Sequence, residues 1–178
     1  GSGVAGAAPM LCLVARGLRV GRLRASAIND AGGDARAVPL DLSDQQAVVE
    51  LAGGVDLPDR PVVLVNCASG ISRASLIDLE LAEWLSQYEV NVVAAANLAK
   101  GLIPHFSKVG GVIVNVSSEA AFRARRGAMA YDCAKAAVTA LTRSLAVELS
   151  EYNVRVNTVA PGWTITERHV GYGPESDA

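Results

Sequence analysis

Aromatic residues are scarce in this sequence, at 4% of its 178 residues, although 51% of the residues are hydrophobic. A core of this composition has to be built mainly from Ala, Val, Leu and Ile, and the chain is long enough to form one sizeable core. The scarcity of aromatic rings together with the abundance of small aliphatic side chains is typical of an α/β protein.

Neither sign of charge is in marked excess, because 16 Lys and Arg residues are set against 18 Asp and Glu residues, for a net charge of −2. Proteins that bind nucleic acid or anionic membranes usually carry a basic surface, so we expect neither as a partner. The local exception is the cluster Arg123, Arg125 and Arg126. An exposed loop is the favoured interpretation of this cluster, with contact to an anionic substrate or a cofactor phosphate as the alternative.

Long hydrophobic runs are also missing. No apolar stretch reaches the length that is needed to cross a membrane. The apolar stretch 4–15 has no basic segment before it, so it does not match a secretory signal. We therefore expect no membrane partner and a cytoplasmic location.

Cysteine and histidine are few and scattered. The three cysteines, Cys12, Cys67 and Cys133, are odd in number and form no C-x-x-C pair, which favours reduced thiols in a cytoplasmic setting. His105 and His169 are isolated, with no carboxylate or thiolate at ligand spacing, so we expect no metal site.

The most informative feature that is present is a tyrosine followed four residues later by a lysine, Tyr131 and Lys135. Residues at this spacing lie one turn apart on one face of a helix. A free tyrosine has a pKa near 10, too high for efficient proton exchange at neutral pH. A positive charge about 5 Å away, at an effective dielectric of about 20, contributes roughly 3 kcal/mol, on the order of two pKa units. The pair predicts a proton donor to a carbonyl, although the same spacing occurs by chance in exposed helices.

Apolar runs predict buried parallel strands over residues 61–65, 110–118 and 154–160. Ser118 is the last residue of the second run, so its hydroxyl is expected at the carboxyl end of a strand. That edge is where ligands bind in open α/β sheets. Asn91 adds a polar side chain inside an otherwise apolar helix.

Helices are predicted near residues 43–53, 80–105 and 128–150, alternating with the strands and without an internal repeat. This order predicts β-α-β units, a doubly wound parallel sheet and a single domain over residues 1–178.

The order of these motifs resembles the short-chain dehydrogenase/reductase family over about residues 34–168. The resemblance implies a Rossmann-like fold and an NAD(P)-dependent oxidoreductase that transfers a hydride between a nicotinamide cofactor and a carbonyl or secondary alcohol substrate. The family's catalytic residues fall on Asn91, Ser118, Tyr131 and Lys135. Tyr131 would be the general acid and base, and Lys135 would lower its pKa and hold the nicotinamide ribose. Ser118 would hydrogen-bond the substrate oxygen, and Asn91 would hold a water of a proton relay.

The resemblance also implies a binding site for NAD or NADP, which the sequence does not distinguish. The segment 66–69 is similar to the family's Asn-Asn-Ala-Gly at its first and third residues, and Asp41 resembles an adenine-contacting Asp at a strand end. The segment 161–166 is similar to the family's Pro-Gly-x-x-x-Thr, which contacts the nicotinamide carboxamide. The expected cofactor-binding residues are Asp41, Leu42, Asn66, Ala68, Tyr131, Lys135, Pro161, Gly162, Thr164 and Thr166.

The two ends leave alternatives open. Family members begin with a strand and a glycine-rich turn, in which the backbone approaches a pyrophosphate. In the favoured alternative, residues 10–14 are that first strand, and Gly17 and Gly21 are the first glycines. In the other, residues 1–6 are the remnant of the turn, residues 7–16 are the first helix, and residues 17–20 start the second strand.

On either alternative, residues 1–33 are atypical, and the segment after Thr166 is too short for a substrate lid, a helix and a final strand. We expect either a fold shortened at both ends or an incomplete chain.

The helix over 128–150 is apolar on more than one face, which predicts a second buried surface. The apolar positions are Ala136, Ala137, Val138, Ala140, Leu141, Leu145, Ala146 and Val147. The resemblance implies a homodimer or homotetramer that packs through this helix and the one carrying Asn91. The alternative is that missing parts of the same chain cover it.

Two functions stay open at this point. One is a reductase or dehydrogenase for a small carbonyl or alcohol compound, whose pocket walls include Ile71, Ala120, Phe122 and Trp163. The other is a non-catalytic relative that keeps the fold with a degraded cofactor site. A sugar-nucleotide epimerase or dehydratase is weaker, because it would need a larger substrate domain.

Overall fold

A computed structural model describes residues 14–15 and 25–164 of the chain. Within these residues, parallel strands alternate with helices. The strands are β1 (Val14–Ala15), β2 (Pro39–Leu40), β3 (Val62–Asn66), β4 (Gly111–Val116) and β5 (Val154–Val159). The helices are α1 (25–30), α2 (Gln45–Gly54), α3 (Leu81–Tyr88), α4 (Ala94–Gly101), α5 (Ile103–Val109) and α6 (Met129–Glu148). A π-helical turn (Glu89–Val93) joins α3 to α4, and 3₁₀ turns cover Glu119–Ala121 and Ser150–Tyr152.

The strands pair in two parallel groups. β1 pairs with β2, and β4 lies between β3 and β5 with Ile113 opposite both Leu64 and Val156. A doubly wound sheet has the strand order 3-2-1-4-5-6. β1 and β2 match the second and third strands of that order, and β3, β4 and β5 match the fourth, fifth and sixth. The expected α/β fold with a doubly wound parallel sheet is therefore confirmed.

The pairing of β1 corrects the predictions for the amino-terminal region. A helix over residues 7–16 conflicts with the strand at Val14–Ala15. The favoured alternative correctly put Val14 in a strand, but it made that strand the first of the fold. Among the described residues this strand pairs with β2 and not with β3, which a first strand would adjoin, so it takes second place. An apolar run predicts a strand but carries no information about which strand it will neighbour. The glycines that separate the two alternatives, including Gly17 and Gly21, lie outside the described residues.

The helix predicted near residues 43–53 corresponds to α2, the one near 80–105 to α3 through α5, and the one near 128–150 to α6. The middle one is not continuous, because α4 ends at Gly101 and Pro104 lies in the first turn of α5. Proline has no backbone N–H and is tolerated in the first turn of a helix but not in its interior. Gly101 also sets the helix packing: a Cβ there would lie 2.5 Å from the Ala52 Cβ on α2.

A buried asparagine ties the sheet to α6 below its carboxyl edge. Asn115 is 0% exposed. Its Oδ1 accepts a hydrogen bond from Asn66 Nδ2 at 2.8 Å, and its Nδ2 donates to Thr142 Oγ1 at 2.9 Å. Thr158 Oγ1 on β5 donates to the Asn115 carbonyl oxygen at 3.0 Å. A single residue of β4 thereby fixes β3, β5 and the helix relative to one another.

We expect Asn115→Ala to lower the free energy of unfolding by about 2–4 kcal/mol, because it leaves a cavity and removes hydrogen bonds from buried partners. Urea denaturation measures the loss. Asn157→Ala, at an exposed position of β5, is the matched control and should stay within about 0.5 kcal/mol of the parent. Equal losses in the two variants would contradict a structural role for the Asn115 side chain.

Candidate active site

The elements that carry the candidate catalytic residues meet at the carboxyl end of β4. Helix α6, which carries Tyr131 and Lys135, packs against β4 and β5, against the 3₁₀ turn that follows Ser118, and against the π-helical turn that carries Asn91. The fold thus brings together the elements that carry these four residues, which span positions 91 to 135 of the sequence. Carboxyl strand ends are the usual ligand-binding edge of this fold.

Lys135 is buried next to Tyr131. The Lys135 Nζ lies 5.7 Å from the centroid of the Tyr131 ring, and the lysine is 2% exposed. Its Nζ donates to the Val116 carbonyl oxygen at 3.0 Å, and its own carbonyl oxygen accepts from Ser117 Oγ at 2.8 Å. Burial lowers the pKa of Lys135 from 10.5 to about 8, against a smaller opposing electrostatic effect of the nearby Cys67.

Asn91 lies in the π-helical turn and is 4% exposed. Its Nδ2 donates to the Gln87 carbonyl oxygen at 2.8 Å and to the Gly70 carbonyl oxygen at 3.3 Å. Its Oδ1 accepts from Ser69 Oγ at 2.9 Å. Single π-helical turns inside α-helices often occur at functional sites. Ser69 and Gln87, which the sequence reading did not single out as site residues, hold the Asn91 side chain in one orientation.

Ser118 lies two residues after the end of β4 and caps the 3₁₀ turn, since its Oγ accepts from the Ala120 backbone N–H at 3.2 Å. The segment after β5 runs beside it. The Ser117 N–H donates to the Val159 carbonyl oxygen at 2.8 Å, and the Glu119 N–H donates to the Pro161 carbonyl oxygen at 2.9 Å. These bonds bring Pro161 and Gly162 alongside the Ser118 loop.

Thr164 continues that segment, with its Oγ1 donating to the Gly162 carbonyl oxygen at 3.2 Å. Thr166 lies outside the described residues, as does His169.

Three of the expected cofactor-binding residues, Leu42, Asn66 and Ala68, line one cavity of about 20 Å³, together with Asn91. That volume admits about one water molecule, so a dinucleotide would lie across the open edge above the cavity. Asn66 Oδ1 is buried and has no hydrogen-bond partner among the described residues. A buried acceptor without a partner is costly unless a donor reaches it. Ribose hydroxyls and the adenine amine are such donors, so this edge fits an adenine nucleotide.

Asp41 follows β2 and forms a local turn. Its Oδ1 accepts from the Ser43 N–H at 2.9 Å and from Ser43 Oγ at 2.7 Å. The carboxylate is thereby held at the strand end, where the sequence predicted it.

The arginine cluster lies in an exposed loop, as expected, and Arg125 also contacts Tyr131 and Asp132. Its guanidinium carbon lies 5.6 Å from the centroid of the Tyr131 ring, and its side chain is 42% exposed. Asp132 holds it from below: Oδ2 accepts from the Arg125 N–H at 3.0 Å, and Oδ1 accepts from Nη2 at 3.2 Å. Arg123, by contrast, is 79% exposed and lies 3.8 Å from Glu119. A carboxylate directly after the tyrosine is the sequence signal that could have identified this pair.

The expected apolar walls are only partly found. Ile71, Phe122 and Trp163 are exposed and therefore accessible to a substrate. Ala120, by contrast, is 3% exposed and belongs to the core. Ala120 was predicted as lining because it follows Ser118, but the 3₁₀ turn directs it inward. The described part of the chain contains no group of three or more His, Cys, Asp or Glu side chains placed to hold a metal ion. Within that same part, no helix combines the length and apolarity needed to span a membrane.

Comparison with known proteins gives consistent matches. A family model for short chain dehydrogenases matches residues 5–175. The 2,3-dihydro-2,3-dihydroxybenzoate dehydrogenase of Bacillus subtilis is 35% identical over 145 residues, which cover 80% of this chain and 55% of that protein. The cis-4-hydroxycyclohexanecarboxylate dehydrogenase of Sinomonas cyclohexanicum is 34% identical over 145 residues, covering 80% of this chain and 58% of that protein.

Among solved structures, a candidate NAD(P)-dependent gluconate 5-dehydrogenase from Beutenbergia cavernae, with NADP bound at low occupancy, is similar with a TM-score of 0.76. It is 34% identical, and the match covers 91% of this chain and 65% of that one. The chain spans a little over half the length of the curated relatives that it matches.

Proposed function

The chain belongs to the short-chain dehydrogenase/reductase family, and from that premise we propose that it is an NAD(P)-dependent oxidoreductase acting on a carbonyl or secondary alcohol. The observation that carries the proposal is the buried Lys135 ammonium, 5.7 Å from the Tyr131 ring at the ligand-binding edge of the sheet. A charged group that is buried beside a phenol, with no carboxylate partner in the described residues, suits a role in chemistry more than one in folding.

The bound nicotinamide cofactor supplies or accepts the hydride, and the protein supplies orientation and charge. Tyr131 donates its hydroxyl proton to the substrate oxygen during reduction and removes the proton from the hydroxyl during oxidation. Ser118 hydrogen-bonds the same oxygen and so fixes the carbonyl carbon for transfer. General acid–base groups of this kind contribute about 10²- to 10⁴-fold in rate.

Lys135 stabilises the phenolate that forms when Tyr131 gives up its proton. Because the pKa of Lys135 is about 8, the ammonium keeps its charge at neutral pH and loses it as the pH rises through 8. Asn91, oriented by Ser69 and Gln87, holds the water through which the proton reaches solvent.

The adenine half of the cofactor would lie against Asp41, Leu42, Asn66 and Ala68. The nicotinamide half would lie near Pro161, Gly162, Thr164 and Thr166, with its ribose bound by Tyr131 and Lys135. The support for this arrangement is the unpartnered Asn66 Oδ1 at one end and the hydrogen-bonded run of Pro161 beside the Ser118 loop at the other.

The position of β1 bears on the choice between NAD and NADP. In this fold the residue that reads the adenosine ribose follows the second strand, and an arginine there accommodates a 2′-phosphate. Arg16 directly follows β1 in the sequence, although residue 16 lies outside the described part of the structure. We infer a preference for NADP.

Calorimetric titration with NADPH and with NADH tests the cofactor assignment. We expect NADPH to bind more tightly, and Arg16→Asp to weaken NADPH binding by about tenfold or more, because a charge-assisted hydrogen bond contributes about 1.5–3 kcal/mol. Arg60→Asp makes the same charge change just before β3, at the end of that strand opposite to Asn66. It should leave the affinities for NADPH and NADH unchanged. Binding of neither cofactor would contradict the oxidoreductase and favour the non-catalytic alternative.

We also propose a homodimer or homotetramer. Large apolar side chains are exposed on α3, before it and on α6: Ile77 at 95%, Leu81 at 71%, Leu85 at 50% and Val147 at 73%. Exposed apolar surface of this kind marks an interaction site, and light scattering measures the assembly directly. A cytoplasmic location is supported by the free thiols of Cys67 and Cys133.

The names of the relatives bear on the substrate class. The Bacillus and Sinomonas enzymes are named for substrates in which a ring bears both a hydroxyl group and a carboxylate, and gluconate is also a hydroxy acid. These names support a small hydroxy or oxo acid as the substrate of this chain.

A further inference from the structure

We propose that Arg125 is an anion-binding residue of the active site, which selects substrates carrying a carboxylate near the reacting carbonyl or hydroxyl group. The inference rests on the proposed function, because it takes Tyr131 as the group that meets the substrate oxygen. It assigns a role to an arginine and an aspartate that the catalytic mechanism does not use.

Arg125 is held in place by a buried anchor. Both carboxylate oxygens of Asp132 are engaged by this one residue, Oδ2 by its backbone N–H at 3.0 Å and Oδ1 by its Nη2 at 3.2 Å. The Asp132 side chain is 11% exposed. A flexible arginine loses considerable side-chain freedom when it binds a ligand. Asp132 has already restricted that freedom, so Arg125 is preorganised.

The orientation of the ion pair leaves its positive end outward. The Arg125 side chain is 42% exposed while Asp132 lies beneath it. Within the described part of the chain, the guanidinium hydrogen-bonds only Asp132, through Nη2. Nη2 gives one of its two hydrogens to Asp132. Each guanidinium edge that binds a carboxylate through two parallel hydrogen bonds combines one Nη2 hydrogen with one from Nη1 or Nε, so the edge that Asp132 does not use can bind an arriving anion.

The position of the guanidinium fits a small substrate. Its central carbon lies 5.6 Å from the Tyr131 ring centroid, so an anion bound to Arg125 and an oxygen bound to the Tyr131 hydroxyl can belong to one small molecule. Arg123 is a poorer candidate, because it is 79% exposed and pairs with Glu119. Exposed pairs of that kind contribute little.

The first experiment measures binding and needs no turnover. Cofactor-saturated protein is titrated calorimetrically with cyclohexanecarboxylate and with the neutral cyclohexanecarboxamide. We expect the carboxylate to bind more tightly, and Arg125→Gln to weaken it by about 10- to 150-fold without changing the amide. Arg126→Gln, at an exposed neighbour, is the matched control and should bind the carboxylate like the parent. Arg125→Lys, which keeps the charge but not the two parallel bonds, should restore only part of the affinity.

The second experiment compares turnover of 4-oxocyclohexanecarboxylate with that of its methyl ester. The parent should favour the acid through a lower KM, and Arg125→Gln should raise the KM for the acid until it matches the KM for the ester. Equal use of acid and ester by the parent, or a preference that survives in Arg125→Gln, would overturn the role of Arg125 and leave the oxidoreductase standing. Carboxylate binding that depends on Arg125, without turnover of any ketone, would instead count against the proposed function alone. Thermal unfolding of each variant shows whether the loop keeps its fold.

Discussion

Tyr131→Phe is expected to lower the rate of ketone reduction by about 10²- to 10⁴-fold, the usual contribution of a general acid. The substitution removes one hydroxyl oxygen and keeps the ring against which the Arg125 guanidinium lies at 5.6 Å. Cofactor affinity should fall by no more than one hydrogen bond contributes, about 0.5–1.5 kcal/mol, because Lys135 still binds the nicotinamide ribose. The loss should therefore appear in kcat and not in KM, as expected for an interaction made in the transition state.

The measurement is a single-turnover assay of the cofactor-loaded protein, read from the absorbance of the reduced nicotinamide. Tyr152→Phe, in the 3₁₀ turn after α6, makes the same chemical change away from the site and should retain the parental rate. A Tyr131→Phe protein that reduces the ketone as fast as its parent would exclude Tyr131 as the proton donor and would contradict the proposed mechanism.

The parts of this site that could be predicted from the sequence are those set by local geometry. Tyr131 and Lys135 come together because a helix places positions four apart on one face. Ser118 comes near the end of a strand because a mostly apolar run ends there. Both arguments need only the residues within one element. The structure has the Lys135 Nζ 5.7 Å from the Tyr131 ring centroid, and β4 ends at Val116, two residues before Ser118.

The parts that could not be predicted depend on contacts between elements. Asn115 lies within a run of valines and isoleucine, and its partner Thr142 is 27 residues away in the sequence, on α6. The π-helical turn at Asn91 adds a residue that helical periodicity does not encode. Arg125 is fixed by a carboxylate that follows it by 7 residues, and composition gives no information on where either side chain points. The place of β1 in the sheet depends on strand pairing, which an apolar run leaves open.

Lys135→Met is expected to raise the free energy of unfolding at pH 7 while it lowers activity by about 10²-fold or more. The pKa of Lys135 falls from 10.5 to about 8 on folding, which corresponds to a cost of about 3 kcal/mol for burying the ammonium at neutral pH. Methionine removes this cost, and it also removes the hydrogen bond to the Val116 carbonyl oxygen, which contributes about 1–2 kcal/mol. The variant should therefore be more stable than its parent by about 1–2 kcal/mol.

The pH dependence distinguishes the removal of a buried charge from better packing of the methionine side chain. Between pH 8 and 10.5 the unfolded chain still binds the Lys135 proton, whereas the folded chain releases it, so the stability of the parent rises with pH in that window. The advantage of Lys135→Met should shrink by about 2 kcal/mol between pH 7 and about pH 9.5. Lys100→Met, at an exposed lysine of α4, should show no such change in urea denaturation. A pH-independent difference would mean that the ammonium is not buried in the folded protein. A buried charge that weakens the fold and is needed for turnover is retained for chemistry, at the expense of stability.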